Sequence, residues 1–257
     1  LDLDGLARER VMGEMEKALT RSGRPSRCFE ALREMGQLEP WLKEVAALIG
    51  VKQRADCHPE GDAWTHTMLV VDEAAKLRDE AKNLTGLMLA ALLHDVGKAV
   101  AMQEKDGVIH AYGHETAGVP LAEDFLRRLT GEKALCRYVL NMVELHMKPN
   151  LYAAQNSGQK AWNRLFDRSA CPEDLLLLAK ADHRGRINAA PYAETERTIR
   201  ARLSAYEEMM ARPHITGADL LARGIQPGEE MGRLLEEAHR LRLAGVKKED
   251  ALRQMRL

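Results

Sequence analysis

Aromatic side chains are scarce in this 257-residue chain, at 4% of its residues. Platforms on which successive bases of a single strand could stack are therefore few. Cysteine is scattered as Cys28, Cys57, Cys136 and Cys171, with no Cys-x-x-Cys pair. That spacing speaks against a zinc knuckle or a disulfide framework, and for reduced, mostly buried thiols in a cytoplasmic protein. No apolar stretch approaches the ~18–20 residues of a membrane span, so no membrane partner is expected. The opening Leu1-Asp2-Leu3-Asp4 has the character of neither a signal peptide nor a transit peptide. A net charge of −1 supplies no global basic field to draw the chain to nucleic acid or anionic lipid. Alternating β-branched runs are missing too, and Gly-Gly occurs nowhere.

What is present is a helical pattern nearly from end to end. Hydrophobic residues at 45% and charged residues at 30% describe an ordinary globular chain, long enough for one large domain with appendages. The periodicity predicts an all-α fold, with helices over 63–82, 85–97, 115–130, 132–147 and 172–184 among others. Gly97, Gly185, Gly224 and Gly245 read as helix stops. Three blocks follow: N-terminal helices over 1–48, a histidine-rich apolar block over 49–188, and a charged helical tail over 189–257.

The most informative feature is His94-Asp95 at the end of Leu87-Met88-Leu89-Ala90-Ala91-Leu92-Leu93. Seven apolar residues in succession predict a helix buried on all sides. A charged Asp on such a helix is costly unless a cation or a full set of donors meets it. Matching residues recur elsewhere. His66 lies on a helical face with Leu69 and Val70, His114-Glu115 opens a helix, His146 ends a run before Pro149, and Asp182 ends Leu175–Ala181. Apolar helices that finish in His or Asp, packed with one polarity, would bring their C-terminal ends and partial negative charge to one spot. Imidazole with carboxylate suits zinc, iron, manganese or nickel, whereas calcium prefers oxygen alone. A lone His on an apolar face is ordinarily a hydrogen-bonded core residue, so the ensemble carries the argument. His58, His183, His214 and His239 lack that context, while His110 is kept as a possible pocket residue. Glu60 and Asp62 read equally well as residues that orient a ligand or as helix caps.

In this spacing, with His94-Asp95-Val96-Gly97-Lys98 at its centre, the chain resembles the HD superfamily of metal-dependent phosphohydrolases. The segments His58–His66, Ala181–Arg186 and Thr216–Gly228 look like the C-terminal portion of bacterial CCA-adding tRNA nucleotidyltransferases, and Arg8 through Leu32 like their helical neck. The resemblance implies an HD-domain helical bundle with neck-like helices and a helical tail. It implies a first divalent metal on His66, His94, Asp95 and Asp182, and a second on His114 and His146 with Asp95 bridging. Mn, Fe, Ni, Zn and Mg all stay open as the metal. Lys98 and Arg186 are candidates to hold the phosphate, or plain surface charges. The expected activity is phosphomonoesterase or 2′,3′-cyclic phosphodiesterase, on a nucleotide or an RNA-terminal phosphate. CCA-adding enzymes carry a nucleotidyltransferase head with paired glycines, which this sequence lacks; Asp2-x-Asp4 reads as a solvated terminus. A stand-alone hydrolase, a head-less tRNA-binding body with weak tRNA contact, and a helical interaction protein are the readings left open.

Overall fold

The computed structural model describes residues 5–54, 56, 58–105 and 108–257. The Asp2-x-Asp4 pair and Cys57 fall outside them. The chain runs through α1 (Arg8–Arg21), α2 (Ser26–Glu34), α3 (Lys43–Ala46), α4 (Ala63–Ala75), α5 (Leu84–Leu93) and α6 (Lys98–Ala101). A hairpin of β1 (Gln103–Lys105) and β2 (Val108–His110) comes next, followed by α7 (His114–Leu129), α8 (Lys133–Leu145) and α9 (Met147–Ala154). Then come α10 (Gln159–Arg168), α11 (Pro172–Arg184), α12 (Ala193–Ala211), α13 (Gly217–Leu221), α14 (Glu229–Leu243) and α15 (Lys248–Gln254). Among the described residues the fold is all-α apart from the hairpin and one isolated bridge, Lys52 with Asp62.

Packing divides the chain into two compact units, Leu1–Leu151 with Ser169–Glu196, and Tyr152–Arg168 with Arg197–Leu257. This cuts the chain differently from the three sequence blocks: the N-terminal helices share a unit with the six candidate ligands, and α10 groups with the tail. In the first unit α5 is the hub, touching α1, α4, α8 and α11. Leu87 through Leu93 have no exposed surface, as an all-apolar helix requires. Asn83 caps α5 by accepting from Gly86 N–H at 2.9 Å. Asp174, fully buried on α11, accepts from the backbone N–H groups of Lys82 and Asn83, both at 2.8 Å, and from Tyr138 Oη at 2.5 Å. These three donors supply what a buried carboxylate demands and tie α11 and α8 to the start of α5.

The second unit has its own small core of Ile215, Leu220, Ala238 and Ala251. A capping box between Thr216 and Asp219 opens α13. Asn163 on α10 donates to the Leu243 carbonyl at 2.9 Å.

Several sequence expectations need correction. The helix read over 63–82 ends at Ala75, and the one over 85–97 ends at Leu93, where His94–Gly97 form a turn. The hairpin was not foreseen, because Gln103-Glu104-Lys105 against Val108-Ile109-His110 carries no apolar alternation and only local antiparallel pairing joins them. Cys28 is exposed, and Cys136 and Cys171 are half-buried free thiols rather than core residues. Leu84–Ala101, with mean hydropathy 1.4 over 18 residues, is long and apolar enough to cross a membrane by length and composition, contrary to expectation. It is 72% buried within the protein, and His94, Asp95 and Lys98 lie inside it.

Candidate metal centre

The C-terminal ends of α5, α8 and α11 meet in the first unit, and the first turn of α4 joins them. These ends deliver His94-Asp95, His146, Asp182 and His66, and α7 adds His114 from its first residue. All six side chains are buried. The six residues predicted from sequence are brought together.

Two glycines read as helix stops turn out to permit this approach. Gly185 ends α11 as its C-cap and Gly97 instead opens α6, and both have ordinary right-handed backbone angles, φ −68° and −66°, rather than the left-handed geometry of Gly224 and Gly245. A Cβ on Gly97 would lie 2.0 Å from the His114 carbonyl oxygen and 2.5 Å from Gly118 N. A Cβ on Gly185 would lie 2.5 Å from Val70 Cγ2 and 3.0 Å from Val70 N. Each glycine lets two backbones touch, α6 with α7 and α11 with α4. Gly224 and Gly245, at φ 85° and 83°, are left-handed stops as expected.

The imidazoles share one orientation. His94, His114 and His146 each donate Nδ1–H to the carbonyl three residues earlier, Ala91 at 2.8 Å, Ala111 at 2.8 Å and Val143 at 2.7 Å. This bond fixes the tautomer and aims an unprotonated Nε2 inward. Behind His66 stands Glu60, whose Oε1 is 2.8 Å from Nδ1 without hydrogen-bond geometry. The same oxygen accepts from His58 Nδ1 at 2.8 Å. Asp62, weighed equally with Glu60 from sequence, is a helix cap: it accepts from Thr65 N–H at 2.9 Å and Gly50 N–H at 2.7 Å.

At the centre, His66 Nε2 lies 3.0 Å from Asp182 Oδ1, and His94 Nε2 lies 3.2 Å from Asp95 Oδ2. The other oxygen of Asp95 is 3.1 Å from His114 Nε2 and 3.7 Å from His146 Nε2, and those two nitrogens are 3.4 Å apart. The donors form two groups, His66–His94–Asp182 and Asp95–His114–His146, each with its ligand atoms within 4.8 Å of one another. Asp95 therefore turns one oxygen to each group. A third grouping, His58–Glu60–His66, uses the other nitrogen of His66 and serves to orient that ring.

This donor set fits divalent cations. His94 Nε2 and both Asp95 oxygens have no hydrogen-bond partner in spite of complete burial. Buried polar groups are otherwise almost always partnered. Burial pushes the Asp95 carboxyl up, but its neighbours His94 and Lys98 outweigh it and hold the group well below the usual carboxylate range. Asp182 is held low against burial in the same way, by His66 and Arg186. Burial and the neighbouring His94 push His146 down to about 3, so its ring is neutral and ready to ligate. Burial opposes protonation of His66 and His114 as well, but Asp182 and Glu60 raise the first and Asp95 raises the second.

A cavity of about 220 Å³ opens on this cluster, lined by Asp95, His114 and Asp182 together with Lys98 and Arg186. Lys98 Nζ lies 2.6 Å from Asp95 Oδ2 without hydrogen-bond geometry and donates to Gln53 Oε1 at 2.6 Å. Arg186 Nη2 is 3.4 Å from Asp182 Oδ2. Both cations thus stand beside the carboxylates and line the same cavity. Gln53 was missed from sequence, since an isolated Gln before a loop carries no pattern. Of the remaining histidines, His58 and His110 line the cavity. His183 and His214 bond backbone carbonyls and His239 bonds Asp167, and none of the three lines the cavity.

Residues 63–244 match the HD domain family. The chain belongs to the HD domain family. The HD domain is a fold of the metal-dependent hydrolase superfamily, in keeping with a His/Asp cluster that could hold divalent metal. The family match reaches residue 244, well beyond the block ending at 188. Residues 2–49 match a second family, described as "Probable RNA and SrmB- binding site of polymerase A". Among curated proteins, the chain is 38% identical to a "Multifunctional CCA protein" of Burkholderia lata over 253 residues, covering 95% of this chain and 57% of that protein. A protein of the same name from Burkholderia cenocepacia gives the same identity and coverage. One from Burkholderia vietnamiensis is 38% identical over 254 residues, covering 96% and 57%. The HD chain thus spans little more than half the length of these relatives.

Proposed function

We propose that this chain is a metal-dependent phosphohydrolase, a phosphomonoesterase or 2′,3′-cyclic phosphodiesterase acting on a nucleotide or an RNA-terminal phosphate. One or two divalent ions would be held by His66, His94, Asp95, His114, His146 and Asp182. The observation that carries this reading is Asp95, buried with neither oxygen satisfied by a hydrogen bond and one turned toward each group of histidines. Divalent ions bound there supply charge against phosphoryl oxygens and make water acidic enough to act as a nucleophile at neutral pH. The protein's own part is positioning. Lys98 offers a point charge and Arg186 a planar fork to the phosphate at the cavity wall. The backbone carbonyls behind His94, His114 and His146 hold the rings in place.

The test is phosphate release from a panel of phosphomonoesters and cyclic diesters, with metal content measured on the same sample. Chelation is expected to abolish release, and one of Mn, Fe, Ni, Zn or Mg to restore it. Release indifferent to chelator, or absent with every metal, overturns the proposal.

Two further outcomes follow from the geometry. Glu60→Gln removes the carboxylate behind His66 while keeping its size, and metal affinity is expected to fall about 10–100-fold. A competing chelator indicator reads that change. Metal affinity should also climb with pH through and above the ordinary imidazole range near ~6.5. The raised pKa values of His66 and His114 mean that protons compete for the same nitrogens, so binding displaces them at low pH and displaces fewer as pH rises through those values. Calorimetry in buffers of different ionisation enthalpy counts those protons, and pH-independent affinity would count against both rings as ligands.

A second reading has its own support. The RNA-binding match over 2–49 and the name of the relatives favour a body that contacts tRNA. Filter binding of tRNA over a range of salt separates the two. Tight, steeply salt-dependent binding without turnover favours the binding body, because phosphate contacts dominate such affinity. Turnover with weak binding favours the hydrolase.

A further inference from the structure

The cavity above the metal centre has an aromatic wall that phosphate chemistry does not need. Tyr112 and His110 line it alongside Asp95, Lys98 and Arg186. Their rings are stacked, with centroids 4.9 Å apart and planes 17° from parallel. Tyr112 is 83% exposed, the most exposed large apolar side chain among the described residues of a chain poor in aromatics. Apolar surface left in water forfeits the gain of burial, so an open ring beside a polar pocket marks a place where something binds. His110 backs one face of the ring.

The backbone sets where that ring stands. β2 ends at His110, Gly113 takes φ 75° and α7 begins at His114. Tyr112 is two residues from His114, at most about 7 Å of extended chain. The ester group of a phosphate at the metal cluster is therefore within reach of Tyr112, which lines the same cavity. The cavity, at about 220 Å³, is smaller than the ~300–1,000 Å³ of pockets that engulf a drug-sized ligand. It suits the phosphoryl end of a molecule whose remainder lies at the rim, where Tyr112 is.

The geometry points to Tyr112, supported by His110, as the residue that makes this site favour nucleoside phosphates over phosphate esters without a base, by stacking on the nucleobase. The catalytic consequence rests on the phosphohydrolase reading above, whereas the stacking itself needs no turnover. Every base has a π-face, so the preference is for a base and not for one particular base.

The experiment compares adenosine monophosphates phosphorylated at the 2′, 3′ or 5′ position with ribose 5-phosphate, using the full chain in the presence of manganese. The adenosine compounds are expected to be favoured about tenfold in kcat/KM, mainly through KM. In Tyr112→Ala that ratio falls toward one, while Tyr112→Phe and Tyr112→Trp retain it. A wild-type ratio near one, or a Tyr112→Ala variant that keeps the full ratio, overturns the subsite. Equilibrium dialysis of the same compounds reads the site without turnover. A protein that releases no phosphate, yet binds the adenosine compounds about tenfold tighter than ribose 5-phosphate and loses this in Tyr112→Ala, keeps the subsite and overturns the hydrolase reading alone. Base-independent binding overturns the subsite whatever the activity.

Discussion

Asp95→Asn is expected to lower phosphate release by about 10³-fold or more, the several kcal/mol that metal charge contributes to such reactions. The asparagine keeps the shape of the side chain but removes the charge that Oδ1 and Oδ2 offer to the two histidine groups. Metal-dependent stabilisation should vanish with it. A ligand at about 100 times its Kd adds about 2.7 kcal/mol to a native protein, and Asp95→Asn should show no such increment in a melting experiment with added metal. The variant also strips Lys98 of its buried ionic partner, so circular dichroism below the melting range must accompany the assay. His146→Ala is the companion. Its ring is neutral, with the pKa pushed down to about 3 by burial and His94, so no charge is stranded when it goes. Metal content is expected to drop by one ion per chain; full activity with unchanged metal content would leave a single-metal enzyme. An Asp95→Asn protein that folds and still turns over at the wild-type rate would remove the centre proposed for this chain.

Gly97→Ala is expected to be the most disruptive single methyl in the protein. Its Cβ would sit 2.0 Å from the His114 carbonyl oxygen and 2.5 Å from Gly118 N, both backbone atoms that cannot rotate away. Overpacking ordinarily costs 1–3 kcal/mol, and contact with rigid backbone places this case at about 3 kcal/mol. The strain falls where function is assembled. Separating α6 from α7 draws His114 away from Asp95, 3.1 Å apart in the native fold, so the second group should bind metal less well even in protein that folds. Gly131→Ala is the control, with nothing within 4 Å of the added methyl. Urea midpoints and metal stoichiometry of the two variants decide the matter. Equal midpoints would mean that α6 and α7 do not press on each other as described.

Legibility varied by residue in a way that physical chemistry explains. His94-Asp95 stood out because a charge at the end of Leu87–Leu93 is anomalous within seven residues, and such a local anomaly survives without coordinates. Glu60 and Asp62 could not be separated, since each is an acid just ahead of a helix. Only the path of the chain sends Glu60 to His66 Nδ1 and Asp62 to Thr65 N–H. Gly97 carried a misleading signal, because a glycine after a helix looks the same whether it turns the chain or makes room for another backbone; Gly185 does both. Tyr112 had no signal at all: an aromatic in a loop is unremarkable until a stacked His110 and a cavity are seen beside it.

Residue chemistry and periodicity by themselves determined the all-helical class and the ligand types, because burial of a charge and the 3.6-residue period are properties of short stretches. Which oxygen of Asp95 faces which pair of rings was decided by the tertiary structure alone. That depends on contacts between helices far apart in the chain, set by backbone approach at Gly97 and Gly185, and no short stretch of sequence encodes the distance between two helices.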